Sequence, residues 1–198
     1  MSHWSRSEVT DERLGAYVRR GLLPPRTAAR EWIALGSEGV PHPSEGYIVS
    51  FLPFHERGLA MPPHPFFRGL LHHYELELHH LGPNRIAGYL GIAAHFDLWR
   101  HLFSIYLQGK KKGDVAPPVR CVVLHLRSSR SALYIPAALN HSLKGWHPLW
   151  FYLHNDAETP LPAFSDRRFA VAPSTWSWGA AKKDQEKLDS LLQGMEAL

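Results

Sequence analysis

Apolar and polar positions alternate differently in the two halves of the chain, predicting helices mainly in the first half and strands mainly in the second. Leu14, Tyr17 and Val18 recur at i, i+3 and i+4, so a helix starts after Thr10. Thr10 is a good N-cap, Asp11 and Glu12 suit the positive end of the dipole, and Val9 can staple onto Leu14. Gly21 can end this helix, and Pro24-Pro25 prevents its resumption. Trp32 and Ile33 belong to a short segment that stops before Gly36. The β-branched and aromatic run from Gly46 to Leu52 reads as a strand ended by Pro53. Pro65 fits the first turn of a second helix, with Phe67, Leu70, Leu71 and Tyr74 on one face and Gly82-Pro83 as its close. Gly88 and Gly91 weaken any helix that follows. Phe96, Trp99, Leu102, Phe103 and Tyr106 then share a helical face, with Arg100 and His101 opposite and Gly109 as the stop.

Beyond Gly109 the pattern is β-like. Val119 to Leu126 is apolar and β-branched with Arg120 and His125 as polar breaks, Leu133-Tyr134-Ile135 stops at Pro136, and Leu149 to Leu153 is a buried-strand run. The stretch 156–179 is punctuated by proline without a clear period. Ala180 to Leu198 is an amphipathic helix, with Leu188, Leu191, Leu192, Met195 and Leu198 on one side and Lys183 and Lys187 toward solvent. Its stripe spans about three turns, too short for an isolated coiled coil. The expectation is one α+β domain over residues 8–178. A C-terminal amphipathic helix over 179–198 packs back or contacts a protein partner.

Composition bounds the class of protein. With 198 residues, 44% hydrophobic and 20% charged, the chain can bury a real core and is not of disordered type. No apolar run approaches the roughly 20 residues of a membrane span, and the N-terminus leads into no secretory signal. The lone Cys121 excludes an internal disulfide framework and any zinc site needing two thiolates from this chain. These features read as a soluble intracellular protein, nuclear or cytoplasmic, with no membrane partner.

Charge singles out one segment. Residues 1–108 hold ten basic and ten acidic side chains. Residues 109–145 hold Lys110, Lys111, Lys112, Arg120, Arg127, Arg130 and Lys144 against Asp114 alone, a local excess of +6. Such a segment can meet phosphate, although lysine-rich turns and cationic edge strands are also ordinary surface features. Trp146, next to Lys144-Gly145, is the tryptophan placed to stack on a base, whereas Trp99 and Trp150 lie within apolar patterns and read as core.

The chemistry-bearing residues are sparse. His72, Glu75 and His79 fall near one helical stripe and offer zinc-compatible donors, but no His-Glu-x-x-His motif is present and a fourth ligand must come from elsewhere. Doubled histidines on the polar side of a helix are most often simply exposed. Cys121 sits mid-strand, where a thiol packs as a small apolar group. Neither a Gly-x-Ser-x-Gly elbow nor a phosphate-binding Gly-x-x-x-x-Gly-Lys loop occurs, and no cofactor is implied.

Several segments together resemble a known family. They are Val49-Ser50-Phe51-Leu52-Pro53-Phe54-His55-Glu56-Arg57-Gly58-Leu59, Pro62 to Leu71, and Leu81-Gly82-Pro83-Asn84. Gly88-Tyr89-Leu90-Gly91-Ile92, His95 to Arg100 and Lys144 to Tyr152 follow in order. Jointly the chain resembles the plant gypsy-type transposon domain family, also labelled a transposase domain. The resemblance implies an origin in retrotransposon-like elements and carries no catalytic residues. The triplet of a retroviral-type protease and the paired aspartates of a reverse transcriptase are both absent from the sequence. Members usually carry roughly a dozen more residues, about three helical turns, between the Pro-Asn and the Gly-Tyr-Leu-Gly. Here Asn84-Arg85-Ile86-Ala87 runs straight into Gly88, implying a shortened helix and a marginally stable copy.

Three readings of function follow. The first is a retrotransposon-derived, non-enzymatic, gag-like domain that binds nucleic acid or element-encoded protein through the basic segment and Trp146. The second is a metal-dependent nuclease or transposase-type enzyme using the His72–His80 cluster. The third is a decayed fragment without activity.

Overall fold

The computed structural model describes residues 4–27, 31–36, 38–84, 86, 96–108, 117, 119–127, 143–165, 167–177, 184 and 186–190. The apolar run near residue 150 becomes the central strand of an antiparallel sheet. Strands β1 (Trp32–Ile33) and β2 (Tyr47–Phe51) both pair with β5 (Trp150–His154), in the order β1-β5-β2. Ile48 faces Leu153 and Phe51 faces Trp150 in this register. A central strand has neighbours on both edges, and here Trp150, Phe151, Tyr152 and Leu153 are all buried, which accounts for the unbroken apolar sequence. The N-terminal segment is tied to this strand. Ser7 Oγ donates to the Trp150 carbonyl at 2.6 Å, and Trp150 Nε1 donates to the Ser5 carbonyl at 2.8 Å. Trp4 stacks on Phe51 with ring centroids 6.2 Å apart, so the packed core begins at Trp4.

Helix α1 (Asp11–Arg19) starts where expected: Arg13 N–H donates to Thr10 Oγ1 at 3.3 Å, and Leu14 and Tyr17 are buried. Gly21 at φ +71 follows the end of the helix. β2 passes directly into α2 (Leu52–Glu56), where Pro53 occupies the first turn as well as ending the strand. Helix α3 (Pro65–His73) buries Phe67, Leu70 and Leu71, and Tyr74 just beyond it is buried too. It does not continue to Gly82. The helix stops at His73, Glu75 adopts φ +51, Glu77 is extended, and Leu78–His80 form one 3-10 turn.

The segment expected as one helix from Phe96 to Tyr106 is divided. α4 (Phe96–Leu102) hands over to β3 (Phe103–Leu107), which pairs antiparallel with β4 (Val122–Leu126). Phe103 and Ile105 alternate with Ser104 and Tyr106, and pairing with a segment about 20 positions downstream selects the two-residue period over the helical one. Phe103, Ile105, Val122 and Leu124 are buried, while Tyr106 and His125 lie on the outer face. His101, expected to face solvent, is buried and donates from Nε2 to Asp189 Oδ1 at 2.6 Å. Residues 186–190 are helical, Leu188 is buried and Lys187 is exposed, so this part of the C-terminal helix packs back on α4. The fold is α+β, with a three-stranded sheet that draws strands from both halves of the chain and a separate two-stranded sheet of β3 and β4. The segments Gly88–Gly91 and Leu133–Ile135 lie outside the described residues, as do Lys183, Leu191, Leu192, Met195 and Leu198.

Candidate functional site

The break at Glu75 dismantles the expected metal stripe. His72 and Glu75 are exposed, whereas His79 is buried on the other side of the turn. A continuous helix would have set the three side chains in line; Glu75, itself left-handed, turns the chain away before His79. No group of three or more His, Cys, Asp or Glu side chains with metal-holding geometry occurs among the described residues.

The polar groups of this region instead hold a strap, residues 160–165 and 167–169, against the 3-10 turn. His72 Nε2–H donates to the Pro160 carbonyl at 3.2 Å. Arg167 pairs with Glu75 Oε2 at 2.6 Å. Ser165 donates its backbone N–H to Glu77 Oε2 at 2.8 Å and its hydroxyl to Glu77 Oε1. His80 accepts from the Glu77 N–H at Nδ1 (2.9 Å) and donates from Nε2 to the Arg167 carbonyl (2.9 Å), which fixes its neutral tautomer. His79 lies among Trp4, His80 and Phe164, with Nδ1 3.5 Å from Glu77 Oε2. Burial, with a smaller contribution from His80, pushes its pKa well below the ordinary imidazole value. A neutral ring with its proton on Nδ1 leaves only a lone pair at the unpartnered Nε2, the cheaper of the two ways to orphan a nitrogen.

A second buried histidine makes a serine pair. His55 Nδ1–H donates to the Leu59 carbonyl at 2.9 Å, which leaves Nε2 to accept from Ser50 Oγ at 3.0 Å. The pairing resembles an activated nucleophile, but both side chains are sealed in the core and the outer nitrogen is held by a carbonyl rather than a carboxylate. Burial, partly opposed by the Leu59 bond, lowers the His55 pKa to about 4. Cys121 is equally enclosed: burial raises its thiol to about 12 despite a backbone hydrogen bond that favours the thiolate, and Glu77 adds to the rise. A shallow, solvent-open depression lies beside β1, lined by Pro24, Trp32, Met61, Pro62 and Leu153 together with Glu31. Both Glu31 oxygens are already engaged, one by Arg26 and one by the Tyr47 hydroxyl, each at 2.6 Å.

Two described cations of the basic segment, Arg120 and Arg127, flank β4. Arg120 precedes the strand at φ +56, donates its backbone N–H to the His79 carbonyl at 3.0 Å, and lays its stem over Gly82, where a Cβ would sit 3.4 Å from Arg120 Cγ. His147 is lowered in pKa by burial and then by the Arg120 charge, and Lys144 is exposed. Arg127 follows the strand at its other end. Its Nε donates to the carbonyls of Arg100 and Phe103, both at 3.1 Å, placing a cation at the C-terminal end of α4. Trp146 is 2% exposed, packed edge-on to Phe51 at 4.9 Å and stacked on His147 at 4.3 Å, so its faces are covered by the core rather than open to a base. Lys110, Lys111, Lys112 and Arg130 lie outside the described residues.

Residues 48–107 match the family model described as "Putative gypsy type transposon", just under a third of the chain. The matched span runs from β2 to β3 and includes the Ser50–His55 pair and the strap-holding turn. No curated protein and no solved structure matches the chain. No helix among the described residues is long and apolar enough to cross a membrane.

Proposed function

We propose, from the premise that residues 48–107 form a gypsy-type transposon-related domain, that this chain is a non-enzymatic, element-encoded domain that binds nucleic acid through its basic segment. One observation carries the reading. The side chains best suited to chemistry among the described residues, Ser50, His55, Glu77, His79, His80 and Cys121, are buried; the hydrogen bonds given above for Ser50, His55, Glu77 and His80 run to one another, to backbone or to the strap, and His79 faces Glu77. These groups build the fold. The charge excess of residues 109–145 is read from the sequence: Asp114 is the one acidic residue in that stretch, and among its described cations Lys144 is exposed. Clustered cations recognise phosphate without base selectivity and release counterions on binding. Lys110, Lys111, Lys112, Arg120, Arg130 and Lys144 supply the contacts, while Arg127 braces α4.

The test is titration of labelled RNA and DNA with the purified chain at about 50 and 200 mM salt. Affinity that falls several-fold between the two and is lost on Lys110→Glu/Lys111→Glu/Lys112→Glu supports the reading. Absence of binding at low salt removes it.

A further inference from the structure

The ring that sequence spacing offers for base stacking, Trp146, is enclosed, and the structure places a different aromatic in the open. Tyr106 is 47% exposed in the middle of β3. It belongs to the outer face of the β3–β4 hairpin because Phe103 and Ile105 take the inner one, and the register sets Val123 directly opposite. His125, also exposed and paired with Ser104, stands perpendicular to the tyrosine, ring centroids 5.3 Å apart at 89°. β3 packs against the 3-10 helix Ser174–Ser177, and Tyr106 remains open in its presence.

Charge indicates what such a face would meet. The chain between β3 and β4 contains Lys110, Lys111 and Lys112. Lys110 is four positions beyond Tyr106 in the sequence, a reach of at most about 14 Å. An exposed aromatic pair within reach of consecutive cations combines the two components of single-strand recognition, a π-surface for the base and positive charge for the backbone. A duplex hides its base faces by stacking, so the arrangement favours unpaired strands. An apolar protein surface would gain from the rings but would have to tolerate the lysines.

We infer that the outer face of the β3–β4 hairpin is a base-stacking site for single-stranded nucleic acid, with Tyr106 as the stacking ring and His125 as its edge-on neighbour. The inference rests on the nucleic-acid reading above and adds to it the residue that touches the base. Stacking is sequence-tolerant and unaffected by salt, whereas the lysine contacts are salt-dependent.

The experiment measures binding of fluorescein-labelled oligo-U and oligo-dT of about 20 nucleotides, longer than one stacking platform requires, to the full chain. Tyr106→Ala is expected to weaken binding about 5- to 100-fold without changing the salt slope. Tyr106→Phe, which keeps the ring, stays within about twofold of the parent on the same principle. The RNA and DNA arms distinguish the sugar, and the predicted loss in either supports the site. Ultraviolet cross-linking of oligo-U to the unaltered chain, mapped by mass spectrometry, should label the peptide containing Tyr106; this readout does not depend on any variant folding. Unaltered binding by Tyr106→Ala, with binding still lost in the triple lysine variant, overturns the stacking site and leaves the proposed function standing. No binding by the parent chain at low salt removes both. Preference for duplex over single strands overturns the stacking site. So does a dimer abolished by Tyr106→Ala without any oligonucleotide bound, which would assign the face to a second copy of the chain.

Discussion

The Ser50 hydroxyl donates to His55 Nε2 at 3.0 Å, while the other ring nitrogen of His55 donates to the Leu59 carbonyl at 2.9 Å. The pair closes the corner where β2 becomes α2, and neither side chain reaches solvent. An imidazole with one nitrogen donating to a carbonyl and the other accepting from a hydroxyl has no room for a second proton. Its chemistry therefore appears as stability, not turnover.

That arrangement predicts acid sensitivity. In the unfolded chain His55 takes up a proton near pH 6.5; in the folded chain burial delays this to about 4. The unfolded state binds more protons between these values, so stability is complete above pH 6.5 and falls as the pH drops toward 4, by about 3 kcal/mol. His79, lowered by burial in the same direction, adds to the loss. Melting temperatures measured from pH 7.5 to 4.5 should decline through this window, and His55→Gln should flatten the decline. A constant melting temperature across the window would contradict the assignment.

Glu77 predicts a second effect. Its carboxylate receives two bonds from Ser165 and faces His79 Nδ1 at 3.5 Å. Glu77→Ala leaves the buried His79 imidazole without an acceptor, costing about 1–3 kcal/mol, and releases the exposed Ser165 to water, loosening the strap. Urea unfolding should shift to lower midpoints, and limited proteolysis should open the strap. Wild-type midpoints and cleavage rates in the variant would show that the strap is held by something else.

How far the sequence foretold this arrangement can be judged element by element. The Thr10 cap, the apolar faces of α1 and α3, the start of α3 at Pro65 and the burial of Trp99, Trp150 and Cys121 all follow from local spacing and are observed. Two segments were not legible. Phe96 to Tyr106 satisfies a helical period, and Phe103 to Leu107 also satisfies a strand period; only the distant partner Val122–Leu126 decides between them. The turn at Glu75 has neither Gly nor Pro to mark it, so a continuous stripe through His72 and His79 was the natural reading. The apolar Leu76 and Leu78, both buried two positions apart, are the one local trace of extended chain. The strap contacts of Glu77 and His80 join residues nearly 90 positions apart, a separation that no window along the chain can span.

Trp146 provides a prediction that separates core from interface. Its ring is packed against Phe51, Phe54 and His147. Trp146→Ala should cost about 3–5 kcal/mol, the usual range for a large aromatic removed from a core. For a chain of this size that corresponds to a fall of about 10 °C in melting temperature. A variant that melts like the parent yet loses nucleic-acid affinity would place Trp146 in the interface after all.

The central claim is that the basic segment binds nucleic acid and performs no reaction on it. Titrating the chain into labelled oligo-U over a series of salt concentrations, with Mg²⁺ or a chelator present and the oligonucleotide examined afterwards, tests this most directly. The account predicts a linear fall of log affinity with log salt, a slope near −2 to −4 for about three to six phosphate contacts, and an intact oligonucleotide in both conditions. Cleavage that requires Mg²⁺ and survives dilution and repurification, or a slope indistinguishable from zero, would contradict it.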